Sequence, residues 1–215
     1  MRRLACIALL VALTAGCLLK ETTHTLYLDP DGSVTWVVLE RDIRSDEEDI
    51  DRGRAEEHDF LDLVRAGRNE VALAFDELGA RRVEARVLRV ERPYTVSTEG
   101  RFSRIDTLLE ELFAGLEVDV DVGISIDGDR VRLDVAGRPD PAEDGDDETL
   151  GPLVSLLDEA ERYRLVLTDG KFVDAVGFRL EQGDTVAVPL EPSEDAIERD
   201  GGRLSLSLTW ENRRN

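Results

Sequence analysis

Cysteine is nearly absent from this chain of 215 residues, which holds only Cys6 and Cys17. Beyond position 17 there is no thiol, so no disulfide framework is open to the rest of the chain, and a chain of this length does not need one to build a core. Histidine is as scarce. With only His24 and His58, a zinc site would have to draw its other ligands from carboxylates, and no His-Glu-x-x-His pair exists. His58 and Asp62 stand four apart on an expected helix, a spacing that reads as surface electrostatics. Also missing are a Gly-x-Ser-x-Gly elbow, a Walker loop and a dinucleotide fingerprint. No catalytic, cofactor-binding or metal-ligating residue is therefore assigned. Basic side chains are outnumbered, 27 against 48 acidic, for a net charge of −21. Such a field repels nucleic acid and anionic headgroups. After the first 16 residues no apolar stretch is long enough to span a bilayer.

What is present begins at the N-terminus, MRRLACIALLVALTAGCLLK. Arg2 and Arg3 supply the positive charge that keeps this end cytoplasmic, and Leu4 to Ala15 is apolar or small except for Thr14. As a helix that run would span about 18 Å, short of a ~30 Å hydrocarbon core, so a cleavable export signal fits better than a permanent span. Small residues, Thr14-Ala15-Gly16, then lead to Cys17.

Leu13-Thr14-Ala15-Gly16-Cys17 resembles the lipobox of bacterial lipoproteins, with Thr14 in place of the family's preferred Leu. The resemblance implies a signal peptide over 1–16, cleavage before Cys17, a diacylglyceryl thioether on its sulfur, and acylation of the new α-amine, with palmitate a typical chain. Two or three acyl chains anchor far more firmly than one, at ~0.8 kcal/mol per buried CH₂. The alternatives are an ordinary signal peptide cut near Ala15 or Gly16, or a buried N-terminal helix in a cytosolic protein. Leu18, where Asp would favour inner-membrane retention, points to the outer membrane, with the outer face of the cytoplasmic membrane as the alternative. Residues 17–22 read as a short tether, of which Leu18–Thr22 reaches at most ~17 Å. Removal of Arg2 and Arg3 leaves 25 basic against 48 acidic residues, a charge of −23. Besides the membrane reached through Cys17, the partners this suits are a basic protein, a lipid or a divalent cation; oligomeric state is not specified.

From 23 to 215 the pattern is that of a single α+β domain, either one lobe or two divided near 137–148. Leu26 and Leu28 face Val34, Trp36 and Val38 across Asp29-Pro30-Asp31-Gly32, a β-hairpin signal. Ser45 and Glu48 fit a capping box opening a helix to Ala66, with Phe60, Leu61 and Val64 on its buried stripe. A second helix spans Glu70 to Leu78. Strands follow over Arg82–Val90, with a bulge near Leu88, and around Tyr94, Val96 and Thr98. Ile105 to Leu116 has helical spacing. Val118 to Ile126, the Asp127-Gly128 turn and Val131 to Val135 form the clearest hairpin.

The acidic segment Gly137–Glu148 reads as an exposed loop. As a calcium loop it offers Asp140, Asp144 and Asp146 but fails at Ala142 and Gly151. A short helix around Leu153–Leu157 follows, and the remainder is β, through Tyr163–Leu167, a turn at Thr168–Lys171, Phe172 onward, Val186–Leu190 and Leu204–Trp210. The fold class is α+β, with a largely antiparallel β-sheet and several packed amphipathic helices.

TLYLDPDGSVTW, the late hairpin YRLVLTDGKFVDAVG and the closing LSLSLTW also resemble the layout of LppM-type lipoprotein domains. That resemblance implies a non-enzymatic envelope role with lipid or glycolipid contact. Two functions are carried forward. One is a lipid-anchored envelope protein with a binding or structural role. The other is a carboxylate-based hydrolase of envelope polysaccharide, left open because spacing is uninformative among so many acids. A pair of carboxyls ~5–9.5 Å apart in a cleft would favour the hydrolase, and a deep apolar pocket would favour a lipid binder.

Overall fold

The computed structural model describes residues 18–115, 120–137, 162–190 and 204–212. The strands are β1 (Leu18–Leu28), β2 (Val34–Ser45), β3 (Arg82–Arg89), β4 (Tyr94–Phe102), β5 (Val120–Asp127) and β6 (Arg130–Gly137), then β7 (Tyr163–Leu167), β8 (Lys171–Val176), β9 (Phe178–Glu181), β10 (Val186–Pro189) and β11 (Leu204–Glu211). The helices are α1 (Ile50–Arg65), α2 (Glu70–Glu77) and α3 (Ile105–Gly115). Antiparallel ladders join β3 to β4, β5 to β6, β6 to β11, β11 to β8, β7 to β10 and β10 to β9. The described residues thus hold mostly antiparallel sheet with three helices. This is more β than the amphipathic spacing implied, and the helix expected around 153–157 lies outside them.

Two compact units divide the chain. One holds residues up to Thr25 with Thr35–Ser103; the other holds Leu26–Val34 and everything from Arg104 on. The division differs from the lobes expected around 137–148. The turn Asp29–Gly32 brings β1 and β2 side by side, so the second unit takes its first strand segment from the tip of that hairpin.

In the first unit the strand order is β3-β4-β2-β1. Alternation sends Trp36 and Val38 of β2 and Val96, Thr98 and Phe102 of β4 to the interior. Trp36, Phe75 of α2 and Phe102 form an aromatic cluster, with the two phenylalanine rings edge to face at 5.7 Å. Gly100 is what lets β4 approach it, since a Cβ there would lie 2.5 Å from the Phe75 ring. Ile43, Leu61, Val64 and Val96 make a neighbouring cluster, with Leu18, Phe60, Val87 and Tyr94 packed around it.

The first helix corrects one expectation. Ser45 is the last residue of β2, and the N-cap of α1 is Asp49, whose carboxylate accepts from Asp51 N and Arg52 N at 3.0 and 3.1 Å. Ile43 is fully buried at the end of β2, so the strand runs past the point where a box opened by Ser45 could form. At the far end, Arg68 N donates to Leu63 O and Gly67 N to Val64 O, the bond pair that closes a helix through a left-handed residue. The expected second helix and the bulge near Leu88 are found, the latter as a register shift between Val87 and Arg89.

In the second unit the end of β1 is followed in the sheet by β7, β10 and β9, while β5-β6-β11-β8 form a separate four-stranded sheet. Ile105, Leu108, Leu112 and Phe113 of α3 are buried, as are Val131, Leu133, Leu208, Trp210 and Phe172 on one face of the four-stranded sheet. Phe172 meets Trp210 edge to face at 6.4 Å.

The hairpin expected over 163–177 does not form, because β7 and β8 lie in different sheets. Their link is drawn tight against the end of β11. Gly170 sits at φ +106°, and a Cβ there would be 2.2 Å from the Glu211 carbonyl oxygen. The step from one sheet to the other therefore needs a residue without a side chain.

Candidate functional site

Cys17, the lipidation site expected from the sequence, lies outside the described residues, and so does the acidic loop 139–148. The chain immediately after Cys17 is described, and it corrects the tether. Residues 18–22 are strand, not linker, because β1 starts at Leu18. Leu18 rests on the Ile43, Leu61, Val64 and Val96 cluster. Two residues on, Lys20 Nζ meets Glu40 Oε1 at 2.6 Å, with side chains only 10% and 2% exposed, and the ammonium stands 5.6 Å from the centre of the Phe60 ring. The first residues of the folded chain are thus fastened by apolar packing and by a buried ion pair.

A second buried carboxylate supports the same end of the unit. Glu57 of α1 is 1% exposed and accepts from Ser45 N at 2.9 Å and from the Arg92 guanidinium in the β3–β4 turn. Ser45 Oγ donates to Glu56 at 2.6 Å. The end of β2, the middle of α1 and the β3–β4 turn are therefore cross-linked beside the point where β1 begins. Outside this framework three apolar side chains face solvent: Leu19 at 48% exposure, Leu88 at 59% and Val90 at 69%.

Neither buried carboxylate's partner is evident from the sequence. Lys20 fell inside the supposed tether, although the alternation Leu18, Lys20, Thr22 continues the strand pattern inward. Glu57 is four residues before Leu61 and seven before Val64, so helical spacing alone puts it on the buried stripe.

The second unit offers a different surface. On the outer face of the four-stranded sheet, Ser125, Arg132, Thr209 and Asp174 form one row across the strands, with Asp127, Arg130, Glu211 and Lys171 in the next. Parts of both rows line an open, polar depression of about 370 Å³. Its cations are already engaged. Arg132 Nε reaches both oxygens of Asp134 at 2.8 and 2.9 Å, and Arg130 meets Glu211 at 2.5 Å. The hydrogen bond to Glu211 and its negative charge raise the guanidinium pKa of Arg130 further. The depression's two carboxylates, Asp127 and Asp174, sit on the outermost strands, β5 and β8. Three interstrand spacings of ~4.8 Å put their backbones roughly 14 Å apart or more.

Neither histidine lines the depression. His24 is buried beside Trp36, ring centres 5.8 Å apart. His58 Nδ1 lies 3.3 Å from Asp62 Oδ2 on the exposed face of α1, where Arg65 also meets Asp62. Among the described residues no group of three or more histidines and acids is arranged to hold a metal ion, and no helix is long and apolar enough to cross a membrane.

No family model and no curated protein matches the chain. Among solved structures it is similar to the folded domain of LppM from Mycobacterium tuberculosis, determined by NMR, with 11% identity over 91% of each chain and a TM-score of 0.39.

Proposed function

We propose that this chain is a lipid-anchored lipoprotein of the bacterial cell envelope, held through a diacylglyceryl thioether on Cys17, and that its folded part binds or builds rather than catalyses. The observation that carries this reading is the N-terminal signal itself: two arginines, a short apolar run and small residues before a cysteine. The fold suits that anchor, because β1 starts one residue after Cys17 and Lys20 is locked to Glu40. An acyl anchor attached there would pull on a clasped strand, not on loose chain. The outer membrane is the proposed location, from Leu18 following the cysteine, and the charge of −21 disfavours nucleic acid as a partner. Basic proteins, lipids or divalent cations remain the proposed partner classes.

The test is intact-mass and N-terminal peptide mass spectrometry of the chain purified from bacterial membranes. The expected species begins at Cys17 and carries a diacylglyceryl group with further acylation of the α-amine. A free thiol at Cys17, or a Cys17→Ser chain that still sediments with the envelope, overturns the proposal.

A further inference from the structure

The end of the first unit where β1 starts carries apolar side chains left exposed among the described residues, and the reading of Cys17 as the anchor fixes what lies next to them. Leu18 and Val87 pack on the same buried cluster of Ile43, Leu61, Val64 and Val96. The start of β1 and the end of β3 therefore lie at the same end of the unit, with β2 and β4 between them. Leu88 and Val90 come one and three residues after Val87 and are 59% and 69% exposed, while Leu19, on β1 at the same end, is 48% exposed. Apolar residues scattered singly over a surface need no explanation. Three gathered at one end, one of them two residues from the anchoring cysteine, do.

We infer that Leu19, Leu88 and Val90 form a membrane-contact surface that inserts into the headgroup–acyl boundary of the bilayer holding the chain. The inference rests on lipidation of Cys17 and adds to it an orientation. Consecutive Cα atoms are ~3.8 Å apart, so an acylated Cys17 leaves Leu18 no room to stand away from the lipid surface. The strand cannot swing free either, being fixed by Lys20 to Glu40. The β3–β4 turn, which holds Val90 and follows Leu88 at the end of β3, is tied by Arg92 to Glu57 of α1. Tyr94, at the start of β4, is half-buried at the same end, a residue type suited to the interface between water and acyl chains.

Charge selects the kind of contact. Arg89 and Arg92 stand at this end, but so does the run Asp46-Glu47-Glu48-Asp49 after β2. An electrostatic attraction to anionic headgroups is thereby opposed. The contact is apolar, favours zwitterionic lipid and is insensitive to salt.

The experiment uses the full chain, expressed with its signal in a lipidating bacterium, purified in detergent and reconstituted into phosphatidylcholine–phosphatidylethanolamine vesicles. Because the chain has no thiol after Cys17, the single variants Leu88→Cys and Val90→Cys can each be labelled with an environment-sensitive fluorophore. Arg81→Cys, just before the opposite end of β3, serves as reference. At positions 88 and 90 the emission is expected to shift to the blue and to be quenched several-fold more by spin-labelled lipid than at 81, unchanged in high salt. Equal quenching at all three sites in chains that do co-float with vesicles overturns the inference while leaving the anchor intact. Failure of the chain to co-float, with no lipid in its mass spectrum, overturns the anchor itself. A blue shift that also occurs in the Cys17→Ser chain without vesicles, and grows with protein concentration, assigns the surface to a second copy and overturns the lipid contact. Two separately labelled positions, both mostly exposed, guard against one variant failing to fold.

Discussion

The interior of the first unit and the outer face of the four-stranded sheet in the second use the same residue types in opposite ways. In the first, Lys20–Glu40 and Arg92–Glu57 bring carboxylates that are 2% and 1% exposed between sheet and helix. In the second, Arg132–Asp134 and Arg130–Glu211 lie along an open face with every partner 39% exposed or more. A buried ion pair is costly to form and costlier to break, because removing one partner strands a charge out of water. An exposed pair is screened and contributes little. The contrast separates charges that hold the start of β1 in place from charges that keep a sheet face wet.

The largest expected effect follows from breaking a buried pair. Lys20→Ala leaves Glu40 uncompensated, since its Oε2 atom has no hydrogen-bond partner among the described residues. The first unit should lose about 3–5 kcal/mol. The two tryptophans make this measurable unit by unit, since Trp36 lies in the first and Trp210 in the second. In a Trp210→Phe background, urea unfolding followed through Trp36 should shift to markedly lower denaturant. The double variant Lys20→Met with Glu40→Leu should recover most of the loss. If Lys20→Ala costs under ~1 kcal/mol, the pair is no more than a surface bridge and the contrast between the units is broken.

How far the sequence revealed this depends on which physical signal each element carries. The strands β5 and β6 were legible because Val120, Val122 and Ile124 alternate with polar residues and Asp127-Gly128 supplies the turn. The spacing of Leu61 and Val64 showed the buried stripe of α1. Charged residues inside were not legible, since Lys20 and Glu57 are types that usually face water. Nor was the parting of β7 from β8. Local alternation around Thr168-Asp169-Gly170 looks the same for a hairpin and for a crossing between sheets. Only the approach of Gly170 to the Glu211 carbonyl distinguishes them. Of the candidate site, the proposal of Cys17 rests on its flanking residues alone, whereas the exposed set of Leu19, Leu88 and Val90 depends on long-range pairing that spacing does not encode.

An intermediate effect is expected at the start of α3, where Asp106 is 19% exposed, between the two extremes. Arg104 grips it through Nε at 2.9 Å and Nη2 at 2.6 Å, and the Thr107 amide donates to it at 2.9 Å. These bonds, the Arg104 one foremost, hold its carboxyl below the ordinary range despite partial burial. A depressed carboxyl contributes stability that is present above the unfolded-state value, near ~3.9, and lost as pH falls through the folded value. Asp106→Asn should therefore destabilise the second unit by roughly 1 kcal/mol at neutral pH, with the difference shrinking as the solution is acidified below that range. Unfolding followed through Trp210 in a Trp36→Phe background, at neutral pH and near pH ~3, checks the sign. A gap that widens on acidification would contradict it.

The smallest effect is expected where the contrast is sharpest. Arg132 Nε reaches both oxygens of Asp134, at 2.8 and 2.9 Å, yet the two side chains are 50% and 48% exposed. Geometry alone would rank them beside Lys20 and Glu40. Solvent access reverses the ranking, because both groups already interact well with water in the unfolded chain and gain little by meeting. A double-mutant cycle of Arg132→Ala and Asp134→Ala should give a coupling of about 0.2–1 kcal/mol. That coupling should fade in 1 M salt, where the Debye length is ~3 Å, while the loss caused by Lys20→Ala persists. A coupling above ~2 kcal/mol that survives salt would mean that the outer sheet face is not open to water, and would make burial the wrong variable for telling the two kinds of pair apart.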